Sequence, residues 1–340
     1  MPEHKLETES FYPPDGYVFD THTDVQNDFI EKIEEEGIDS AIKWLKSFKN
    51  SELSHPRDLT FKWDGESGDV FEISKDEDFF KSEKTVCAMS QCKITNLEVG
   101  TEYFWRINDG KTHSFHTKDN RFRFIKIDGV LNVRDIGGIN INQGLLYRGS
   151  DMDICYQITN SGKKAFCEEL KIKTEIELRH DADGTRPSAA GEGVTLKHLP
   201  YKAYETVFEE EWKKAIVPIM EFLSHEENYP VYIHCLGGAD RTGMIAIYLR
   251  ALCGESDQDI HLDYELTSLS TYAYGLAEGA TADGFRRRDS VYYNDEFIKV
   301  LETYAPSNGL TVQIREFLKS CGVTDECMDK IISIIKKKGI

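Results

Sequence analysis

VYIHCLGGADRTGMIAIYLRALC, residues 231–253, decides the reading of this chain. Its first residues are mostly apolar and read as a short buried strand that ends at Cys235. A helical pattern begins near Thr242. The loop between holds a thiol, two glycines, an acid and a guanidinium. A thiol is a good nucleophile only as its thiolate. Gly237 and Gly238 permit backbone conformations that aim several N–H groups inward. Such a nest at a helix start binds anions, whether a thiolate or a phosphate. Arg241 adds a planar fork that matches two phosphate oxygens. Nucleophile, anion cradle and charge clamp in one loop suit phosphoryl transfer to sulfur.

Outward from the loop, strands and helices alternate. RFRFIKI (121–127), GLLYRG (144–149), KTEIELR (173–179) and YPVYIHC (229–235) read as strands. ITNSGKKAFCEELKI (158–172), with Thr159 or Asn160 near its start, EEEWKKAIVPIMEFLSHE (209–226) and TGMIAIYLRALCG (242–254) read as helices. That alternation predicts an α/β layer around a central sheet. Residues 294–340 read as helical, with apolar sets at Ile314, Phe317 and Leu318 and at Ile331, Ile332, Ile334 and Ile335. Before residue 119 the period is two. LTFKWDG (59–65), DVFEISKD (69–76), KTVCAMSQCKITNL (84–97), EYFWRIN (102–108) and KTHSFHT (111–117) alternate like half-buried strands between turn residues. They predict a small all-β sandwich. Residues 25–49 carry apolar side chains at helical spacing, interrupted at Gly37. Three segments follow: a lead and helical segment at 1–55, a β-sandwich at 56–118 and an α/β catalytic domain at 119–340.

The 340 residues carry 41 Lys+Arg against 60 Asp+Glu, a net charge of −19. The first 119 hold 26 acids against 14 bases, so the excess is heaviest there. Neither half reads as a nucleic-acid or anionic-lipid binder. Eight cysteines occur with no C-x-x-C pair, which favours reduced thiols over a disulfide framework. No apolar run of membrane-spanning length exists, and the opening residues lack a leader pattern. As it stands the chain reads as cytoplasmic, or as exported if a leader has been removed.

HCLGGADRTG (234–243), placed after an apolar strand and before a helix, resembles the phosphate-binding loop of protein tyrosine phosphatases. Asp240 directly before Arg241 narrows the likeness to the bacterial tyrosine phosphatase family that also hydrolyses lipid phosphates. NVRDIGG (132–138), LLYRGSDMD (145–153), IELRHDADG (176–184) and DYELTS (263–268) fall in that family's order, and the likeness spans about 120–335. It implies a tyrosine phosphatase-like sheet flanked by helices. It implies that Cys235 attacks phosphorus and forms a phosphocysteine. The loop residues Leu236, Gly237, Gly238 and Ala239 would bind phosphate with Arg241. Thr242 would donate to the sulfur, and His234 would order the loop from behind. Many tyrosine phosphatases carry their general acid on a separate loop. The corresponding stretch here, HLPYKAYETV (198–207), has no Asp, only Glu205. Asp240 is therefore preferred, with Asp181 and Asp183 as runners-up. Relatives active on lipid phosphates often have a lysine where this chain has Ala239, which favours phosphotyrosine over polyphosphorylated rings. LEVGTEYFWRI (97–107) resembles a corner of fibronectin type III domains, with Tyr103 as the corner tyrosine.

Plainer readings stand beside these. Asp240 is also a reasonable helix N-cap. Arg134 and Asp135 read as a local pair. Arg148 and Arg179 at strand ends reach either substrate phosphate or nearby acids. The run Arg286–Arg288, with Tyr272, Tyr274, Tyr292 and Tyr293 near it, is a lid or a solvated loop. Three function classes remain open. The first is a phosphatase, acting on phosphotyrosine or alternatively on phosphoinositides or inositol phosphates. The second is a phosphate-binding module with weak turnover. The third is a rhodanese-like thiol enzyme. The expected partner is a phosphorylated protein or small phosphoester, and the chemistry needs no metal or cofactor.

Overall fold

The computed structural model describes residues 11–48, 51–182, 184–271 and 293–339. The chain forms two units, Met1–Thr23 with Pro56–Arg121, and Asp24–His55 with Phe122–Ile340.

The first unit is built from β1 (Phe11–Tyr12), β2 (Tyr17–Phe19), β3 (Leu59–Trp63), β4 (Val70–Ser74), β5 (Ser82–Val86), β6 (Gln91–Ile94), β7 (Glu102–Ile107) and β8 (His113–Thr117). They make a three-stranded sheet, β1-β3-β6, and a five-stranded sheet, β2-β8-β7-β4-β5. Alternation drives one face of each strand inward. Phe61, Phe71, Trp105 and Phe115 are fully buried in one aromatic core, Phe61 meeting the edge of Trp105 at 5.2 Å. The Tyr103 hydroxyl accepts a hydrogen bond from the Glu98 N–H at 2.8 Å, pinning the turn before β7. The alternating stretch 84–97 is not one strand. It breaks at 87–90, and β5 and β6 join different sheets. A period of two shows which residues face inward; it carries no information on which sheet a strand joins.

The segment expected at 1–55 is not a unit of its own. β1 pairs with β3 and β2 pairs with β8, so both short strands belong to the sandwich. The helices α1 (Asp24–Glu36) and α2 (Ile38–Leu45), separated by Gly37 at φ +85, belong to the second unit. Phe29, Ile30, Ile33, Ile38, Ile42 and Leu45 cluster with Phe122, Phe124, Leu262, Leu266 and Leu269. The apolar face of this helix pair needs a partner, and these five residues supply it.

In the second unit, β9 (Arg123–Phe124), β10 (Arg134–Asp135), β11 (Leu146–Gly149), β12 (Thr174–Glu177), β13 (Thr195–His198) and β14 (Val231–His234) form one sheet in the order β13-β12-β14-β11-β10-β9. The strands β13, β12, β14 and β11 run parallel, and β10 and β9 are antiparallel additions. Of the expected strand 121–127, only Arg123–Phe124 pairs. The expected helix 158–172 opens as α3 (Asn160–Lys164), capped by the Thr159 hydroxyl, and continues as a wider turn over Ala165–Glu169. Three helices follow: α4 (Glu210–Leu223), α5 (Arg241–Leu252) and α6 (Asp257–Glu265). Two more close the chain, α7 (Leu310–Ser320) and α8 (Asp325–Ile335). Every α5 residue after Arg241 is buried, as expected of a helix apolar all round. This is an α/β unit with the sheet flanked by helices, and Cys235 stands at the carboxyl end of its central strand.

Candidate active site

Register brings Gly149 of β11, Glu177 of β12 and His234 of β14 to one level. The chain leaves β14 there and turns through Cys235–Asp240 into α5. Three loop carbonyls are drawn backward. Gly237 O accepts from Asn132 Nδ2 at 2.9 Å. Gly238 O and Ala239 O accept from Arg148 Nη2 at 2.8 and 3.3 Å. A trans peptide points its N–H opposite to its C=O. Side chains behind the loop therefore turn the N–H groups of Gly238, Ala239 and Asp240 the other way, into a shared concavity. Gly238 has φ +65, and a Cβ there would lie 2.3 Å from the Gly149 carbonyl. Only glycine permits both that conformation and that approach.

Cys235 is buried, which by itself would push its thiol up. The Arg241 charge, the Thr242 hydroxyl and N–H, and the Gly238 N–H outweigh burial and hold the thiol below its ordinary value. The Thr242 hydroxyl is buried with no other hydrogen-bond partner among the described residues. Arg241 is half-buried and makes no ion pair or hydrogen bond among the described residues. A stabilised thiolate beside an uncommitted guanidinium is a site for an anion with an electrophilic centre. A model described as "Tyrosine phosphatase family" matches residues 125–338.

The chain belongs to the tyrosine phosphatase family.

That makes it a cysteine-based phosphatase, a hydrolase of phosphate esters. No curated protein matches the sequence. Among solved structures, the core catalytic domain of PP-IP phosphatase SIW14 from S. cerevisiae, in complex with citrate, is 19% identical. The match covers 48% of this chain and 91% of that one, with a TM-score of 0.29.

In this phosphatase Asp240 precedes α5 but makes no side-chain capping bond, so it is not a simple N-cap. Its Oδ1 accepts a short hydrogen bond from the Tyr204 hydroxyl, and the Tyr264 hydroxyl lies 3.5 Å away. Asp181 is exposed on the turn after β12 and has no side-chain hydrogen bond or ion pair among the described residues. Asp183 lies outside the described residues, as do Arg286–Arg288, Tyr272, Tyr274 and Tyr292. Tyr293 is buried and stacks on Tyr264 at 4.3 Å.

Behind the thiol, His234 is fully buried. Its Nδ1 meets the Cys235 carbonyl at 3.2 Å and its Nε2 meets Glu175 at 2.9 Å. Burial alone would lower this imidazole, but Glu175 and Glu177 together raise it. Glu175 shows the reciprocal effect: burial would raise it, and His234 with Arg186 holds it down at about 2. Glu175, Glu177 and His234 lie close enough to suggest a cation site. Arg186 reaches Glu175 at 2.9 Å and Arg179 reaches Glu177 at 2.6 Å, so the carboxylates already have cations.

Two of the sequence expectations require correction. Arg134 and Asp135 do not pair with each other, because neighbouring strand residues face opposite sides of the sheet. Asp135 pairs with Arg123, directly opposite on β9, at 3.0 Å. Arg134 pairs with Asp263 of α6 at 2.9 Å. Arg148 is committed to protein partners rather than left for a phosphate. It is fully buried, with Nη1 on Asp263 at 2.7 Å and Nη2 on the loop carbonyls. Burial and the Arg134 charge bring this guanidinium down to about 9. Arg134 and Arg148 are opposed on adjacent strands, an arrangement of like charges that is costly unless compensated. Asp263 compensates both, and Arg250 approaches it at 3.4 Å. Arg179 is likewise committed, to Asp151, Asp153 and Glu177.

Sequence reasoning missed Asn132, Asp263, Arg250 and Tyr204. Arg250 left one signal, a charge inside an otherwise apolar helix. Tyr204 left none, since its role rests on a contact 36 residues along the chain.

Proposed function

We propose that the phosphatase hydrolyses phosphotyrosine through a phosphocysteine intermediate. The observation that carries this reading is the Cys235 thiol, held low by Arg241, Thr242 and the Gly238 N–H despite complete burial. The Cys235 Sγ attacks phosphorus as a thiolate, and the P–S bond forms as the bond to the phenolic oxygen breaks. Arg241 and the N–H groups of Gly238, Ala239 and Asp240 bind the equatorial oxygens, where charge is spread in the transition state. Leu236 and Gly237 shape the same cradle. Asp240 gives its proton to the leaving phenolate oxygen. A water then attacks the phosphocysteine and passes its proton to Asp240. The P–S bond breaks, inorganic phosphate leaves and the thiolate returns to its hydrogen bonds from Thr242. His234 holds the Cys235 carbonyl from behind and does not exchange protons with substrate.

Phosphotyrosine is favoured because, among the described residues, the arginines behind the loop are already committed. Arg134, Arg148, Arg179, Arg186 and Arg250 all pair with carboxylates, and Ala239 adds no charge. Arg241 is left for a single phosphoryl group. The sandwich unit is proposed to be fibronectin type III-like and to serve as a spacer or docking surface.

The test is turnover of a phosphotyrosine peptide beside a phosphoinositide and inositol hexakisphosphate, using wild type, Cys235→Ser and Asp240→Asn. The expected result is preference for the peptide, loss of measurable turnover in Cys235→Ser, and a fall of about 10²–10⁴ in Asp240→Asn, the usual range for a lost general acid. Preference for either polyphosphorylated substrate would overturn the phosphotyrosine reading and leave the cysteine chemistry standing.

A further inference from the structure

Among the described residues, Asp240 is held by two tyrosines that do no chemistry in the cycle above. Tyr204 stands between β13 and α4, in the stretch where many relatives by resemblance would carry their acid. Its φ of +59 is rare for an aromatic residue and persists only where surrounding contacts impose it. Tyr264 comes from α6, one residue after Asp263, the acid that anchors Arg148 to the loop. Gly243, next to Thr242, would place a Cβ 2.9 Å from the Tyr264 ring, so its lack of a side chain admits that ring beside the loop. Tyr293 stacks on the other side of Tyr264 and is itself hydrogen-bonded to His261 at 2.7 Å.

The hydroxyls form an ordered chain. Tyr204 Oη bonds to both Asp240 Oδ1 and Tyr264 Oη. A phenol has one proton to donate. If Tyr204 gives its proton to Asp240, the proton between the two phenols belongs to Tyr264. Burial first, and the Tyr204 neighbour next, push the Tyr264 phenol well up, so it remains a neutral donor. When Asp240 carries the proton it delivers as acid, the oxygen that accepts this bond is the carbonyl-like one. In that protonated state the transferable proton sits on Oδ2.

Resting on the Asp240 assignment above, we propose that Tyr204, supported by Tyr264, is a positioning residue that fixes the rotation of the Asp240 carboxyl and directs its proton toward the leaving oxygen. The stretch from β13 to α4 thus supplies a hydrogen-bond donor to an acid housed in the loop, where it would otherwise supply the acid.

The experiment measures kcat/KM for phenyl phosphate and for p-nitrophenyl phosphate in wild type, Tyr204→Phe, Tyr264→Phe, Asp240→Asn and the Tyr204→Phe/Asp240→Asn double variant. Phenolate is the poorer leaving group and depends more on a proton donor. A misplaced acid should cost Tyr204→Phe about tenfold on phenyl phosphate and less than about threefold on p-nitrophenyl phosphate. Tyr264→Phe should show the same selectivity to a smaller degree, because it acts through Tyr204. The double variant should be no worse than Asp240→Asn alone, as expected of residues that act as a unit. Equal losses on both substrates in Tyr204→Phe, or losses that multiply in the double variant, would overturn the proposal. If Asp240→Asn itself shows no dependence on the leaving group, the acid assignment fails and takes this proposal with it.

Discussion

At the scale of single residues, the loop is governed by how charge is shared out. Among the described residues, six arginines stand in or behind it, and five are neutralised by buried carboxylates. Asp263 alone takes contacts from Arg134, Arg148 and Arg250, and these charges hold its carboxyl well below the usual range although burial opposes them. A buried ion cluster of this kind is stable only when every partner is present. Its effect is directional: it fixes Arg148, which fixes the loop carbonyls, which turn the N–H groups toward phosphate. The sixth arginine, Arg241, keeps its charge for the thiol and the substrate. A lowered thiol means that thiolate persists at pH values where an ordinary cysteine is protonated. Alkylation of Cys235 by iodoacetate, followed against pH, should therefore have its midpoint below ~8.5, the value for a free cysteine. Arg241→Ala and Thr242→Ala should each move the midpoint upward, and inorganic phosphate should protect. A wild-type midpoint at or above that of free cysteine would contradict the account.

At the scale of elements, the strand–loop–helix was legible because its signals are local. An apolar run ending in Cys235, two glycines and an all-apolar helix lie within 23 residues. The glycines had a definite cause: Gly238 combines a left-handed φ with a contact that no Cβ allows. Gly238→Ala should shift the loop against β11 and lower kcat/KM by about two orders of magnitude, a cost typical of small misplacements at a reacting centre. Circular dichroism should remain near that of wild type; unchanged turnover would show that the close approach to Gly149 is dispensable. What the sequence did not disclose were contacts between elements. Arg134 was visible as a candidate and DYELTS as a motif, yet nothing local ties residue 134 to residue 263. The stretch 84–97 alternates throughout, and only the separation of β5 from β6 into two sheets reveals the break. Tyr204 reads as one more aromatic in a loop until Asp240 is found beside it.

At the scale of the whole molecule, the catalytic unit is discontinuous in sequence. Helices α1 and α2 precede most of the sandwich strands but complete the core of the α/β unit through Phe122, Phe124, Leu262, Leu266 and Leu269. A chain beginning at Phe122 would expose those five side chains and lose the helices that cover them. Each large apolar side chain contributes roughly 1.5–3 kcal/mol when fully buried, and whole domains are stable by only about 5–15 kcal/mol. Such a truncation should be insoluble or unfolded by calorimetry. Recovery of a soluble fragment with wild-type kcat/KM would show that α1 and α2 are accessory. The nucleophile is identified by quenching wild-type enzyme during turnover of a phosphotyrosine peptide and locating phosphate on the chain by mass spectrometry. Phosphate is expected on Cys235 and none on the Cys235→Ser variant. Sustained turnover with no phosphate on Cys235, or turnover by Cys235→Ser, would contradict the phosphocysteine mechanism.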